Sequence, residues 1–366
     1  MLLISLLEFS GFKKIYVVRN LTLDKVIFVY SAIALCLVAA LRFKTGRDWS
    51  HYIFFFEHSL TRKIPVEQGY MLINKFFKQK FNDFYFQQFC INCFCALCIF
   101  RVFFKESEYP VFTLLLYVLL NYFFTTDMAQ VRQHIAMAII CCGTRFIKQK
   151  QILWWILILI LAMQFHITSF LAFPLYFTNR KEISYKTAFV FLFVAVLITL
   201  AGLKFVRGIV ELAILLPFLP EQLANTLQRY FTSKTEGQFL EMSSGLGYWG
   251  RYVFYVLLIF LFAFMKRKNN NYFLLNLMIA VVLQAMGRNF DQFARVANYY
   301  LICGCGLCAY NIFPDSKEFF KKADSLRFLF CSVFVIFTFL TFYSSWSGNY
   351  KKDYAPYKTF IFKEAY

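Results

Sequence analysis

Arginines stand near the ends of several apolar stretches of this sequence, where phosphate-binding chemistry is conceivable. They are Arg47, Arg132, Arg251, Arg288 and Arg295. A guanidinium binds two oxygens of a phosphate at once, which a Lys ammonium does not do. Arg132 and its neighbour Gln133 lie at the predicted start of a helix, where free backbone N–H groups also attract anions. These residues indicate a site for an anionic ligand; the alternative is that they reach lipid headgroups or pair with Asp48, Asp127 and Asp291.

Three residues are candidates for taking a proton: His166, Asp48 and Glu67. His166 lies between two apolar half-segments, and a His side chain takes up a proton near neutral pH. Asp48, in a polar stretch that also contains His51, and Glu67 are competing bases. For His166 a hydrogen-bonded structural role is the alternative, and both interpretations remain open.

The composition is that of a membrane protein. Of 366 residues, 60% are hydrophobic and only 16% are charged, whereas soluble domains need about 25% charged residues to cover their surface. The net charge of +19 would suit nucleic-acid binding only if a basic soluble face existed, and no such domain fits between the apolar runs. The 11 Cys residues fall mostly inside apolar runs, where Cys is a packing residue, so no metal site is expected.

The apolar runs predict an all-α, polytopic transmembrane bundle of about ten or eleven spans, since about 20 apolar residues cross a bilayer. The predicted spans are 24–42, 84–104, 110–126, 129–147, 151–177, 187–206, 246–265, 272–288, 293–313 and 326–343. No repeat or linker divides the chain, so residues 1–366 are expected to form a single domain.

Basic loops set the predicted orientation, because Lys and Arg collect on the cytoplasmic side. Groups such as Lys13–Lys14 and Lys266–Lys268 give an N-terminus inside. The loops after 151–177 agree only if that segment is broken near Gln164–His166 into a re-entrant hairpin, because irregular backbone at membrane depth must be buried or line a wet cavity. The candidate site then faces outward, together with the loop 44–82 and the tail from Ser344.

Familiar soluble-enzyme motifs are missing from the sequence. It has no Walker A motif, no GxSxG elbow, no HExxH and no DxD pair that would hold a metal at a nucleotide-sugar site. Any chemistry is therefore predicted to be metal-independent and to use a membrane-bound donor.

Several short motifs, taken in order along nearly the whole chain, resemble the EpsG family of Wzy-like bacterial polysaccharide polymerases. They are Gly46-Arg-Asp-Trp-Ser-His-Tyr52, Glu67-Gln-Gly-Tyr70, Val131-Arg-Gln-His-Ile-Ala136, Phe165-His166 with Ser169, Arg295 before Asn298-Tyr-Tyr300, and Tyr354-Ala-Pro-Tyr-Lys358. The first motif departs from the family pattern, which is roughly Arg-x-Gly-x-Asp.

The resemblance implies a membrane glycosyltransferase of GT-C-like fold in the bacterial inner membrane, with its active site facing the periplasm. It implies that a glycan chain leaves undecaprenyl pyrophosphate for the non-reducing-end hydroxyl of the next lipid-linked unit, without a cofactor. A chain-length regulator and other glycan-assembly proteins are the expected protein partners. Rings that could stack on sugars are Trp49, Tyr52, Tyr70, Trp249 and Tyr252.

Two alternatives to a polymerase remain. An O-antigen ligase would share the lipid pyrophosphate donor and the arginine-lined site. A transporter or flippase for the same lipid-linked sugar would need no chemistry, but no repeated halves are visible and the broken segment has no counterpart in the other half.

Overall fold

A computed structural model describes residues 16–18, 21–178, 185–214, 225, 271–287, 291–312, 324–347 and 351–361. Strands β1 (Tyr16–Val18) and β2 (Leu21–Thr22) form a short antiparallel hairpin, in which Tyr16 pairs with Thr22. The remaining described elements are helical.

The first part of the chain carries seven described α-helices and one π-helical turn. They are α1 (Leu23–Ala40), α2 (Trp49–Glu57), α3 (Gln68–Lys80), α4 (Phe84–Glu106), α5 (Pro110–Leu119), the π turn Phe123–Asp127, α6 (Val131–Lys148) and α7 (Ile152–Met163). Local sequence explains two of the starts. Asp83 caps α4 by accepting hydrogen bonds from the N–H groups of Tyr85 and Phe86, at 2.8 and 3.2 Å. Pro110 opens α5, where its missing N–H costs nothing.

The later part of the chain alternates α-helix with tighter and wider turns. Its described elements are the 3₁₀ helix Ile167–Ala172, α8 (Leu175–Thr178), α9 (Tyr185–Ile214), α10 (Asn271–Gly287), α11 (Asp291–Asn298), the π helix Tyr299–Cys303, the 3₁₀ helix Gly306–Ile312, α12 (Asp324–Ser345) and α13 (Lys351–Tyr354). The predicted span 293–313 is thus a series of three short elements instead of one continuous helix.

Two compact units can be distinguished by their internal contacts. The first unit takes its described residues from Met1–Gly143, Ile160–His166 and Tyr310–Tyr366, and the second from Thr144–Leu159 and Ile167–Ala309. In the first unit α1 packs against α4 and α5, and Phe28, Ile99 and Leu116 on these helices are buried. In the second unit α10 packs against α9 and α11. The expectation of a single domain stays a prediction.

Large apolar side chains are exposed on several helices, in contrast to a soluble protein. Tyr30 on α1, Leu97 on α4 and Leu153 on α7 are 71%, 73% and 74% exposed, respectively. Many exposed apolar side chains on several helices favour contact with a partner or with lipid. Among the described residues, Leu23–Ala40 and Phe84–Glu106 are long and apolar enough to cross a membrane. Shorter apolar helices include Pro110–Leu119, Ile152–Met163, Tyr272–Gly287 and Phe328–Ser344. The total of about ten spans stays a prediction.

The predicted break within 151–177 is confirmed. Helix α7 ends at Met163, and the turn at 164–166 separates it from the 3₁₀ helix that follows. The second half is a 3₁₀ helix plus the four-residue α8, so it is less regular than the half-length helix that the apolar pattern predicts. His166 lies at the end of this turn, as expected. The re-entrant course of the segment stays a prediction.

Candidate functional site

Glu67 bridges two of the residues that the sequence singles out. Its Oε2 accepts a hydrogen bond from Arg132 at 2.5 Å, and its Oε1 faces Nδ1 of His166 at 3.5 Å. Each carboxylate oxygen therefore has a different partner. The residues come from three separate parts of the sequence and meet within the first unit. We call Glu67, Arg132 and His166 the open cluster.

The approach of α3 to the turn after α7 places Glu67 beside His166. Glu67 is the residue that precedes α3, and its side chain makes no capping hydrogen bond because the carboxylate is directed to the open cluster. Two residues on, the N–H of Gly69 donates to the carbonyl of Gln164 at 2.9 Å. A Cβ at position 69 would lie 2.7 Å from that carbonyl oxygen, so only glycine permits this approach without a shift.

The open cluster is partly accessible, and its carboxylate is ionised. The side chains of Arg132, Glu67 and His166 are 29%, 12% and 13% exposed. Burial alone would raise the pKa of Glu67, but the contact with His166 and the charge of Arg132 outweigh burial and lower that pKa to about 2. A carboxylate held ionised so firmly is a poor general base at neutral pH. The interpretation of Glu67 as the base is therefore disfavoured.

Two buried tyrosines line the protein side of Arg132. Tyr52 and Tyr70 are 6% and 0% exposed, and their rings meet edge to face with centroids 5.9 Å apart. Burial raises the pKa of Tyr52, and the neighbouring guanidinium of Arg132 offsets part of that rise. The expectation that these two rings stack on sugars is wrong, because both are enclosed by protein. Trp49, another of the rings proposed to stack on sugars, packs on the rings of Phe84 and Tyr85.

The first motif forms a loop that the C-terminal tail holds in place. Gly46 has φ +113°, which L side chains rarely adopt, and its N–H donates to the carbonyl of Asp353 at 3.0 Å. The next residue of the tail, Tyr354, donates from its hydroxyl to the carbonyl of Phe124 at 2.8 Å. In this loop Arg47 is exposed and Asp48 is half-buried. Among the described residues, none of the ion pairs includes either of them, so neither is brought to the open cluster by a salt bridge.

A second acidic grouping lies at the start of α6 and is fully buried. Oδ1 of Asp127 accepts hydrogen bonds from the hydroxyls of Tyr117 and Thr126, the latter at 3.0 Å, and lies 3.1 Å from Nε2 of His134. Arg42 donates to the backbone carbonyl of Asp127 at 2.6 Å. We call these residues the sealed cluster. Pairing of the candidate arginines with Asp127 was one of the alternatives to anion binding, and here the Asp127 carboxylate contacts Tyr117, Thr126 and His134.

The second unit contains Arg295 and the two tyrosines that follow it. Arg295 is half-buried near the end of α11. The Tyr300 hydroxyl donates to the carbonyl of Leu171 at 2.8 Å, and the Tyr299 hydroxyl lies 3.3 Å from that of Thr168. These contacts fix the 3₁₀ helix that directly follows His166 in the chain. A positioning role for this motif could not be read from its spacing.

The remaining site predictions have different outcomes. Arg251 and Arg288 lie outside the described residues. Gln133 is buried on α6, and adjacent helix positions face different directions, so its proximity in sequence does not place it with Arg132. Within the described part of the chain, no group of three or more His, Cys, Asp or Glu side chains is arranged to hold a metal ion.

The sequence model of the EpsG family matches residues 25–359, nearly the whole chain. This protein belongs to the EpsG family. No curated protein and no solved structure matches the chain significantly. EpsG membership and the apolar helices together indicate a membrane protein with a role in polysaccharide polymerisation.

Sequence reasoning found the EpsG motifs but missed how they are joined. It sought the partner of Arg132 among aspartates, whereas the partner is Glu67, separated by 65 residues. The one available signal was Gly69, which stands two positions after Glu67 and allows another backbone to approach closely.

Proposed function

We propose that this EpsG protein is a polysaccharide polymerase that transfers a glycan chain from undecaprenyl pyrophosphate to a lipid-linked acceptor on the periplasmic side. The observation that supports this most is the open cluster, in which a cation and an imidazole share one carboxylate at a partly accessible position. A polyprenyl-linked pyrophosphate is the leaving group that such a cation suits.

The proposed reaction has a balanced course. The oxygen of the acceptor's non-reducing-end hydroxyl attacks the anomeric carbon of the donor glycan and forms the new glycosidic bond. The bond between that carbon and the pyrophosphate oxygen breaks, and the pyrophosphate leaves with the electron pair. The hydroxyl proton passes to His166.

Arg132 stabilises the leaving group in this proposal. Negative charge grows on the pyrophosphate as its bond to the sugar breaks, and a preorganised guanidinium stabilises that charge without having to reorganise. One well-placed donor of this kind is typically worth about 3–4 kcal/mol of transition-state stabilisation. Arg295 is proposed as a further pyrophosphate ligand, with Arg47, Arg251 and Arg288 as additional candidates and Gln133 as a glycan-binding candidate.

His166 acts as the general base. Its Nδ1 faces Glu67, so the ring can carry its proton on that nitrogen and accept the hydroxyl proton on Nε2. Catalytic hydrogen bonds are often long before substrate binds, which fits the 3.5 Å separation. Asp48 stays the competing base, and Glu67 is reassigned from base to positioning residue. The proposal requires no metal and no cofactor.

Deletion of the gene followed by gel electrophoresis of the surface glycan tests the activity. Loss of the polymer ladder with single repeats retained supports a polymerase. Loss of all surface glycan supports a flippase, and polymer that accumulates without being attached to its final acceptor supports a ligase.

The role of Arg132 is tested by Arg132→Lys and Arg132→Ala in the deleted strain. Lys keeps the charge but loses the two-pronged geometry, so both variants should reduce polymer per molecule of membrane protein by about 10²-fold or more. Arg62→Lys is the matched control, because Arg62 is exposed in the same loop region as Glu67. Normal laddering in Arg132→Lys would show that Arg132 is only a paired cation.

A further inference from the structure

We infer that Glu67 is an exchangeable partner of Arg132, holding the guanidinium while the site is empty and giving it up when a pyrophosphate binds, after which the carboxylate serves His166 alone. This inference rests on the proposed function, because it assigns Arg132 to the pyrophosphate. Binding of the donor's pyrophosphate to Arg132 would thereby leave the Glu67 carboxylate to orient His166, the proposed base.

The Glu67 carboxylate already pairs with the guanidinium of Arg132 that is proposed to bind the pyrophosphate. Oε2 of Glu67 accepts a hydrogen bond from Nη1 of Arg132 at 2.5 Å, and so takes the position that a phosphate oxygen would need. Arg132 nevertheless keeps 29% of its side chain exposed, whereas the protein side is enclosed by Tyr52 and Tyr70. A pyrophosphate can therefore reach the guanidinium from the open side and compete with the carboxylate.

His166 lies next to the other oxygen of the Glu67 carboxylate. Oε1 of Glu67 is 3.5 Å from Nδ1 of His166, longer than a normal hydrogen bond, while the contact with Arg132 is short. The resting state thus favours Arg132. If the carboxylate shifts toward His166 when Arg132 turns to the pyrophosphate, it can accept the Nδ1 proton more strongly and raise the affinity of Nε2 for a proton.

The charged and titratable groups around the carboxylate allow this exchange. Arg132 and His166 are its two partners, and Tyr52 and Tyr70 adjoin the guanidinium. Asp48 acts on Tyr52 instead of on the carboxylate. Among the described residues the open cluster therefore contains one anion for one permanent cation, and an incoming pyrophosphate supplies the anion that would replace Glu67.

A simple structural ion pair makes a different prediction. If Glu67 only braces Arg132, its removal should disorder the guanidinium and weaken anion binding and activity together. If Glu67 competes with the pyrophosphate, its removal should strengthen anion binding while activity falls. The two interpretations give opposite signs for one measurement.

The test uses Glu67→Gln in the full-length protein, purified in lipid nanodiscs and titrated with inorganic pyrophosphate. We expect affinity for pyrophosphate to rise roughly fivefold or more, the usual lower range of coupling between two ligands. Polymer formed per molecule of membrane protein should fall by about 10²-fold, as expected when a general base loses its orienting group. Glu57→Gln is the matched control, because Glu57 pairs with Lys78 at 2.5 Å outside the open cluster, and it should change neither value.

Two other results would overturn the exchange, either alone or together with the pyrophosphate site. Unchanged or weakened pyrophosphate binding in Glu67→Gln, with wild-type binding intact, overturns the exchange but leaves the polymerase proposal standing. If the wild-type protein binds no pyrophosphate and Arg132→Ala still makes a normal ladder, the leaving-group site and the exchange fail together.

Discussion

The open and sealed clusters use the same residue types but present them differently. Each contains a carboxylate, a His and an Arg, and each draws one member from the first turns of α6. In the sealed cluster, His134 and Asp127 are 2% and 4% exposed; in the open cluster, Arg132 is 29% exposed. The sealed carboxylate is surrounded by hydroxyls from its own neighbourhood in sequence, whereas the open one joins distant segments.

This difference shows that groupings of the same residue types can differ in whether a ligand can reach them. Arg132 and His134 are two positions apart on one helix, so their side chains point to different sides. A ligand can reach one and not the other. The sealed cluster therefore braces the start of α6, and the open cluster is the one proposed to bind and react.

The largest effect should come from His166. His166→Ala and His166→Gln should each leave membrane abundance near normal and reduce polymer per folded molecule by about 10²- to 10⁴-fold, the usual contribution of a general base. Abundance is measured first by immunoblot of membranes, and laddering is then scored per molecule. A substitution in the open cluster is thus expected to reduce activity without reducing abundance, whereas one in the sealed cluster should reduce abundance.

His58→Gln is the matched control for this substitution. The His58 ring contacts Phe54 and its carbonyl, away from the open cluster, so laddering should be normal. If His166→Gln restores laddering, a hydrogen-bonding side chain is sufficient, His166 is not the base, and Asp48 becomes the leading candidate.

The sealed cluster should behave in the opposite way. Asp127→Ala removes the acceptor for Tyr117 and Thr126 and the neighbour of His134, and it should lower stability by about 2–3 kcal/mol because buried polar groups are left unsatisfied. Asp127→Asn keeps one acceptor oxygen and should cost less. Melting temperature and membrane abundance report the loss, while polymer per folded molecule stays within about twofold of the wild type.

A different result for the Asp127 variants would remove the functional distinction between the sealed and the open cluster. Normal abundance with no ladder in both Asp127 variants would mean that the sealed cluster takes part in the chemistry despite its burial. The Asn variant is informative because it preserves the shape of the side chain, so a loss of activity there could not be attributed to a cavity.

The broken helix was predicted because the orientation inferred from the basic loops depends on it. The basic residues after 151–177 fall on the cytoplasmic side only if that segment does not cross the membrane once, and the structure ends α7 at Met163. Charge bias therefore carries long-range information about the course of the chain. The 3₁₀ and π elements were not predictable, since their residues are as apolar as those of a regular helix.

The pairing of Glu67 with Arg132 was not predictable for a different reason. Composition and spacing describe what lies near a residue in sequence, and this contact depends on α3 meeting the turn after α7. The burial of Tyr52 and Tyr70 was missed because Tyr suits both a protein core and a membrane interface. Sequence patterns predicted the three residues that meet in the open cluster, but they did not predict which of the candidate side chains are buried.

The smallest expected effect is a pH dependence of stability that belongs to the open cluster. The folded-state pKa of Glu67 is about 2, below its ordinary value of 4.5, so ionised Glu67 stabilises the folded protein. That stabilisation is fully present above about pH 4.5 and is lost as the pH falls towards 2. The melting temperature of the wild type should therefore exceed that of Glu67→Gln at pH 7, and the difference should shrink between about pH 5 and pH 3.

Thermal unfolding of both proteins in the same nanodiscs, from pH 7 to pH 3, measures this difference. Glu57→Gln provides the reference for an exposed pair, for which only a small difference is expected throughout because solvent screens the charges. A difference for Glu67→Gln that stays constant down to pH 3 would mean that the carboxylate contributes through shape and not through charge. In that case the competition between Glu67 and pyrophosphate for Arg132 would lose its electrostatic basis.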